Sequence, residues 1–354
     1  MSQTASSDNW ALALARPELS ELVPYQSARR IGGSGEIWLN ANESPYANYK
    51  TEENRYPEAQ PPKVIRRYAR YAGVRQDQCL VTRGADEGIE LLIRAFCVPG
   101  KDSIAFAGPT YGMYAISAET CGVASQVLEL NDDYSLPQDL AEQVKQPKLV
   151  FVCNPNNPTG NLVPKAQLLA LAKALPNSLL VVDEAYIEFC PQASVADEIS
   201  DNSNLVVLRT LSKAFALAGA RIGFTLACAQ VIDVLNRVIA PYPIPTPCSN
   251  LAEQALSTDG IAQMQAQVGQ LNALRTKLIN GLKGCGAVPY SAAGNFVLAE
   301  FTNAPAVQAA LAERGIVIRA YSHPRLSSCL RFSIGDAQQT QQLLEALQEV
   351  GQQA

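Results

Sequence analysis

Lys213 is the residue whose type and setting point most directly to chemistry. It lies within Thr210-Leu211-Ser212-Lys213-Ala214-Phe215-Ala216-Leu217-Ala218-Gly219, among small and apolar side chains. A lysine kept from water in such a setting is costly to hold as an ammonium, so its pKa falls and the free amine can condense with an aldehyde. An ordinary exposed lysine is the competing reading. The hydroxyls of Thr210 and Ser212, with the guanidinium of Arg221 close behind, have the makings of a phosphate cup, which suits an aldehyde that also carries a phosphate.

Three other segments place polar groups directly after an apolar run. Cys79–Thr82 leads into Arg83-Gly84-Ala85-Asp86-Glu87-Gly88, where small residues open a helix and leave backbone N–H groups free for an anion. An ordinary glycine turn fits those residues equally well. Leu149–Cys153 runs into Asn154-Pro155-Asn156-Asn157-Pro158-Thr159-Gly160, a rigid turn whose amides either cap the backbone or face a ligand. Leu179–Asp183 with Glu184 imitates the strand-plus-acid element that places an aspartate near magnesium in nucleotide hydrolases. That reading needs a phosphate loop. Neither G-x-x-x-x-G-K-S/T nor G-x-G-x-x-G occurs, since Gly33-Ser34-Gly35 and Gly284-Cys285-Gly286 both lack the third glycine. A carboxylate at a strand end can instead pair with a protonated ring nitrogen, and Tyr186, three residues on, could reach the same ring.

Such groups need a framework. The chain has 354 residues, 47% hydrophobic and 17% charged, which is more than one hydrophobic core usually spans and predicts two packed units. A net charge of −5 offers no basic field for nucleic acid or an anionic membrane. The single histidine, His323, excludes histidine-pair metal sites, so no metal is expected, and it argues against a histidine-activated nucleophile. Within Ser322-His323-Pro324-Arg325 it reads as a solvated loop side chain. The nine cysteines are odd in number, scattered and without a C-x-x-C pair, which predicts reduced core residues in a cytoplasmic protein. Cys153 and Cys190 lie closest to the polar strand ends. No apolar run near 18 residues offers a membrane span. Arg16 and Pro17 interrupt the short stretch Ala11 to Ala15, so no signal-peptide core is expected.

From Cys79 onward, apolar runs of strand length alternate with helical stretches, the pattern of βα units around a mainly parallel sheet, hence an α/β fold. The expected strands are Cys79–Thr82, Ser103–Phe106, Leu149–Cys153, Leu179–Asp183, Leu205–Arg209 and Ile222–Leu226. Ile89, Leu92, Ile93 and Phe96 repeat at helical spacing, with Asp86 and Glu87 in the first turn. The proline-rich stretch from Pro241 to Pro247 marks a boundary. Beyond it, strands at Phe296–Glu300, Ile316–Arg319 and Cys329–Ile334 interleave with helices at Ala304–Arg314 and Gln338–Val350. The expected division is a large domain over 45–245 and a smaller α+β domain over 246–354.

TLSKAFALAG is similar, position by position, to the lysine signature of the pyridoxal-phosphate-dependent aminotransferases of fold type I, class II. RGADEG, NPNNPTG and VVDEAYIEF precede it in that family's order. VPYQSARR at 23–30, WLNANESPY at 38–46, NRYPE at 54–58 and APYPIPTP at 240–247 resemble one branch of the family, the histidinol-phosphate aminotransferases of histidine biosynthesis.

The resemblance implies a large domain with a mainly parallel central sheet flanked by helices, an N-terminal arm over 1–44 that joins the small domain and a dimer contact, and roles for particular residues. Lys213 would hold the cofactor covalently, Asp183 would pair with its pyridine nitrogen, and Tyr186 and Asn157 would bond its phenolate oxygen. Tyr111 would stack on the ring. The phosphate would sit among the backbone N–H groups of Ala85 and Asp86, the hydroxyls of Thr210 and Ser212, and Arg221. Tyr56 would reach that phosphate from a neighbouring subunit, which implies a homodimer with shared active sites. Arg331, in Cys329-Leu330-Arg331-Phe332-Ser333, would grip the substrate carboxylate or phosphate, helped by Arg319, Tyr25 and Asn157. The implied reaction exchanges an amino group between histidinol phosphate and 2-oxoglutarate, giving imidazole acetol phosphate and glutamate. Threonine-phosphate decarboxylase and aromatic amino-acid aminotransferase chemistry remain as alternatives on the same fold, and a non-catalytic ligand-binding or regulatory protein would keep the cup without needing the lysine.

Overall fold

Runs of Val, Leu and Phe without polar alternation form the middle of a seven-stranded sheet in the computed structural model, which describes residues 10–25, 37–48 and 53–351. The expectations that fall on 1–9, on 26–30 of VPYQSARR and on Gly33-Ser34-Gly35 lie outside the described residues, as does much of the 1–44 arm. The strands are β1 (Cys79–Thr82), β2 (Ser103–Gly108), β3 (Ala124–Glu129), β4 (Leu149–Cys153), β5 (Leu179–Asp183), β6 (Leu205–Thr210) and β7 (Gly223–Ala227), in the spatial order β1-β7-β6-β5-β4-β2-β3. Every residue of β4, β5, β6 and β7 is buried, as expected where both faces of a sheet are covered.

Strands β3, β2, β4, β5 and β6 run parallel, while β7 lies antiparallel between β1 and β6. Because β1 and β6 both oppose β7, they point the same way as the rest. The carboxyl ends of β1, β4, β5 and β6 therefore open on one edge, where ligands of open α/β sheets bind. Gly223 pairs with Thr82 on one side and Thr210 on the other, which closes the gap between two of those ends.

Two elements differ from expectation. Strand β3 is missing from the sequence reading because Ser125, Gln126 and Glu129 interrupt its apolar residues at a largely exposed sheet edge, where burial imposes little hydrophobic pattern. The apolar run Ile316–Arg319 is mostly not a strand. Only Arg319 and Ala320 pair with a neighbour, and Val317 is 93% exposed.

A four-stranded antiparallel sheet follows, made of β8 (Val288–Pro289), β9 (Phe296–Glu300), β10 (Arg319–Ala320) and β11 (Cys329–Ser333) in the order β10-β11-β9-β8. The helix Thr246–Ala255 starts inside the proline-rich stretch, with Pro247 in its first turn, where a missing N–H costs nothing. The long helix Thr258–Gly284 and the helices Ala304–Glu313 and Ala337–Gly351 cover the small sheet around Val297, Ala299, Leu330 and Phe332. Phe296, Leu298 and Cys329 point the other way and share one buried cluster with Val152, Val182 and Val207 of the large sheet. This shared packing seats β10 and β11 over the polar strand ends.

Candidate active site

The four strand ends meet around a cavity of about 500 Å³. At its first corner the helix Gly84–Phe96 begins with only Arg83 between it and β1, and no side chain caps its N-terminus. Ala85 and Asp86 of its first turn line the cavity, with Thr210, Ser212 and Arg221 across from them. The Thr210 hydroxyl donates to the Ser212 oxygen at 2.9 Å, and the Ser212 N–H donates back to Thr210 Oγ1 at 3.1 Å. Arg221 donates to Asp86 Oδ2 at 2.9 Å and to Ser212 Oγ at 3.5 Å. Space here is set by glycine. A Cβ on Gly84, whose φ is +78°, would lie 2.7 Å from Arg221 Nη2, and one on Gly223 would lie 2.3 Å from the carbonyl carbon of Gly84.

Asp183 and Lys213 form the second corner. Asp183 is 2% exposed, and its carboxylate accepts the Tyr114 hydroxyl at 2.8 Å and the Ala185 N–H at 3.1 Å. Burial pushes this carboxyl up to about 6, against the opposing pull of Tyr114, Ala185 and Lys213. Lys213 as a residue is accessible from the cavity mouth, yet its amine lies 5.5 Å from the centre of the Tyr186 ring. Its pKa is lowered, first by lost hydration and next by the charge of Arg331. Tyr186 is buried, which raises its phenol, and its oxygen accepts the Asn157 amide at 3.2 Å.

The third corner comes from the small sheet. Arg331 donates to Asn157 Oδ1 and sits opposite Arg319 in the β10–β11 register. Its Nε is buried without a partner, a donor left over for a ligand. Tyr321 lies beside both cations, its ring centre 5.9 Å from Arg331 and 5.8 Å from Arg319.

Most of the residues singled out in the sequence thus line this one cavity: Lys213, Asp183, Tyr186, Ala85, Asp86, Tyr111, Asn157, Thr210, Ser212, Arg221, Arg331 and Arg319. Tyr25 and Tyr56 do not. Tyr25 is 68% exposed, and Tyr56 stacks on Tyr242 at 4.4 Å beside a separate cavity of about 520 Å³. The open question at Asn154, Asn156 and Asn157 resolves by position. Asn154 holds Val163, and Asn156 holds Pro109 and Thr110, so both amides brace the turn. Asn157 alone faces the cavity. His323 accepts the Arg325 N–H at 3.3 Å and does not line the cavity. Cys153 does line it, and Cys190 does not.

Two tyrosines at the site escaped the sequence reading. Tyr114 stands three residues after Tyr111, in the first turn of the helix Met113–Thr120. Tyr321 stands two after Arg319, the spacing that returns a side chain to the same face of an extended segment. Among the described residues no group of three or more His, Cys, Asp or Glu could hold a metal, and no helix is long and apolar enough to cross a membrane.

Residues 33–347 match the family model described as aminotransferase class I and II. The chain is 55% identical to a histidinol-phosphate aminotransferase of Shewanella oneidensis, over 94% of this chain and 88% of that protein. It is 54% identical to one of Shewanella amazonensis, over 96% of each. The crystal structure of histidinol-phosphate aminotransferase from Sinorhizobium meliloti, in complex with pyridoxal-5'-phosphate, superposes with a TM-score of 0.79 at 25% identity, covering 85% of this chain and 84% of that one.

Proposed function

The chain belongs to the class I and II aminotransferases, and from that premise we propose that its cavity exchanges an amino group between L-histidinol phosphate and 2-oxoglutarate, giving imidazole acetol phosphate and L-glutamate in histidine biosynthesis. The cofactor is pyridoxal phosphate. One observation carries the reading: a lysine amine of lowered pKa, a buried carboxylate and an arginine with an unpartnered Nε line one cavity. The residues fit the cofactor. The glycine-walled cradle around Arg221 leaves room for an anion, and Asp183 presents the buried negative charge that a protonated ring nitrogen requires.

When bound, pyridoxal phosphate supplies an aldehyde to take up the amino group and a ring that draws electrons from the carbon losing a proton. Arg221, Thr210, Ser212 and the N–H groups of Ala85 and Asp86 would hold the phosphate. Asp183 would hold the protonated ring nitrogen through its carboxylate. Tyr186 and Asn157 would bind the phenolate oxygen, and Tyr111 would pack against the ring. Lys213 Nζ, its pKa lowered by lost hydration, would take up the proton that the substrate carbon releases and hold it for return. Glutamate brings a carboxylate and histidinol phosphate a phosphate, so Arg331 grips each in turn, and Arg319 adds the second positive charge that a phosphate dianion calls for.

We place Tyr56 at the phosphate of a second copy, which makes the protein a homodimer with shared sites, and we assign Tyr25 to substrate. Ile37, Leu39 and Tyr46 are 82%, 87% and 77% exposed in one chain, a concentration of apolar surface that another subunit would cover. In this reading the arm 1–44 serves that contact, the 45–245 domain holds the cofactor, and the 246–354 domain holds Arg319 and Arg331. Nine free cysteines suit the cytoplasm.

Activity on histidinol phosphate, threonine phosphate and phenylalanine, each with 2-oxoglutarate under one set of conditions, tests the substrate assignment. Histidinol phosphate should be turned over fastest, with parallel lines in initial-rate plots, because both half-reactions use one cavity. Carbon dioxide from threonine phosphate, or a faster rate on phenylalanine, overturns it.

A further inference from the structure

Tyr114 does not line the cavity, yet it holds the buried carboxylate of the second corner. It sits at the start of the helix Met113–Thr120, is 0% exposed, and donates its hydroxyl to Asp183 Oδ2 at 2.8 Å. Its ring is confined on three sides: stacked on Phe151 of β4 at 4.8 Å, edge to face with Tyr111 at 5.7 Å, and tilted against Phe106 of β2 at 6.0 Å. The hydroxyl is therefore placed by the sheet itself. Tyr111, three residues earlier and just before the helix, donates to Asp86 Oδ1 at 2.9 Å, and Asp86 accepts from Arg221. Four residues of chain thus reach from the phosphate cup to the buried carboxylate.

The two oxygens of Asp183 are divided between fixed donors, Tyr114 on Oδ2 and the Ala185 N–H on Oδ1. Such donors orient a carboxylate and favour its charged form, while a buried carboxylate without them tends to take up a proton. The other groups that act on Asp183 are Lys213, which favours the charge, and Asp86, which opposes it; the Cys153 thiol lies close by. Removing the hydroxyl leaves Oδ2 of a carboxylate that is 2% exposed short of its donor. We propose that Tyr114 is a positioning residue, one that fixes the Asp183 carboxylate in the orientation and charge state needed to bind the cofactor ring nitrogen. This rests on the reading of the cavity as a pyridoxal-phosphate site.

Tyr114→Phe keeps the ring packing and removes only the hydroxyl. Spectral titration of the full-length apoprotein with pyridoxal phosphate should show affinity weakened by about tenfold. In an Asp183→Asn background the same substitution should have no further effect, since the bond's charged acceptor is gone. In the apoprotein, a carboxyl-carbon NMR titration of Asp183 should move its midpoint upward in Tyr114→Phe. Unchanged affinity, or an equal loss in both backgrounds, overturns the proposal and leaves Tyr114 as core packing. A wild-type protein that binds no pyridoxal phosphate overturns the reading of the site itself, and this role with it.

Discussion

Arg221 and Asp86, 135 residues apart in the chain, meet through a 2.9 Å contact between Nη2 and Oδ2. The carboxylate lies on the guanidinium in the corner assigned to a phosphate, and both side chains remain partly accessible. A phosphate must compete for the same fork, and a dianion does so with more charge. Arg221→Gln is therefore expected to weaken pyridoxal phosphate binding by about 10- to 100-fold. Pyridoxal, which lacks the phosphate, should bind the variant and the wild type alike, and equal losses for both ligands would contradict the assignment.

Lys213→Ala should lower kcat by at least about 10³-fold, because no other amine lines the cavity to move the proton. Cofactor should still bind through Asp183 and Arg221 but be lost on dialysis. Stopped-flow turnover and the absorbance of dialysed protein check both halves.

Arg331 and Arg319 should separate the two substrates. Arg331→Gln is expected to reduce kcat/KM for glutamate and for histidinol phosphate by about 10²-fold each, since either anion uses its fork. Arg319→Gln should cost the phosphate substrate more than the carboxylate one, because Arg319 stands beside Arg331 as a second cation. Equal effects of Arg319→Gln on both would remove its assignment to phosphate.

Stability of the apoprotein should fall as pH rises. Burial lifts Asp183 from 3.8 to about 6 and Glu188 from 4.5 to about 7, and both oxygens of Glu188 are buried without a partner. An acid whose pKa is higher in the folded than in the unfolded chain contributes fully below its unfolded value and loses that contribution as pH passes its folded value. Denaturant melts between pH 4 and 7.5 should therefore show a loss on the order of 1–3 kcal/mol per group. Glu188→Gln should flatten the upper part of that slope, and an unchanged slope would place the titration elsewhere.

The proposed sharing of sites between two copies predicts complementation. Tyr56→Ala and Lys213→Ala proteins, each impaired alone, should regain activity several-fold when refolded together, because one cavity of the mixed dimer receives an intact tyrosine and an intact lysine. Sizing by light scattering gives the dimer mass independently. Failure of the mixture to exceed its parents would confine Tyr56 to its own chain, beside Tyr242.

Much of the site was legible because its markers are local. Lys213 among small residues, Asp183 at the end of Leu179–Asp183 and the glycine after Arg83 are each visible within ten residues, and each lies at the end of a buried strand or within three residues beyond it. Tyr114 was not legible, since a buried tyrosine three residues after another reads as core packing until its hydroxyl is seen on Asp183. Nor were the different fates of Asn154, Asn156 and Asn157. Their amides are chemically identical, and only the competition for Val163, Pro109 and Thr110 leaves Asn157 facing the cavity.

The amino-acid sequence by itself determined the apolar runs, their succession and the reactive groups at their ends, because strand burial and turn chemistry are written in neighbouring residues. Tertiary structure decided which of those ends meet. Placing β7 antiparallel between β1 and β6 brings Gly84, Arg221 and Thr210 together around Gly223. Packing β9 and β11 against the large sheet carries Arg319 and Arg331 to the cavity that Lys213 lines. These contacts depend on strand order and direction, which no local pattern encodes, and they turn a lysine, a carboxylate and two arginines into one site.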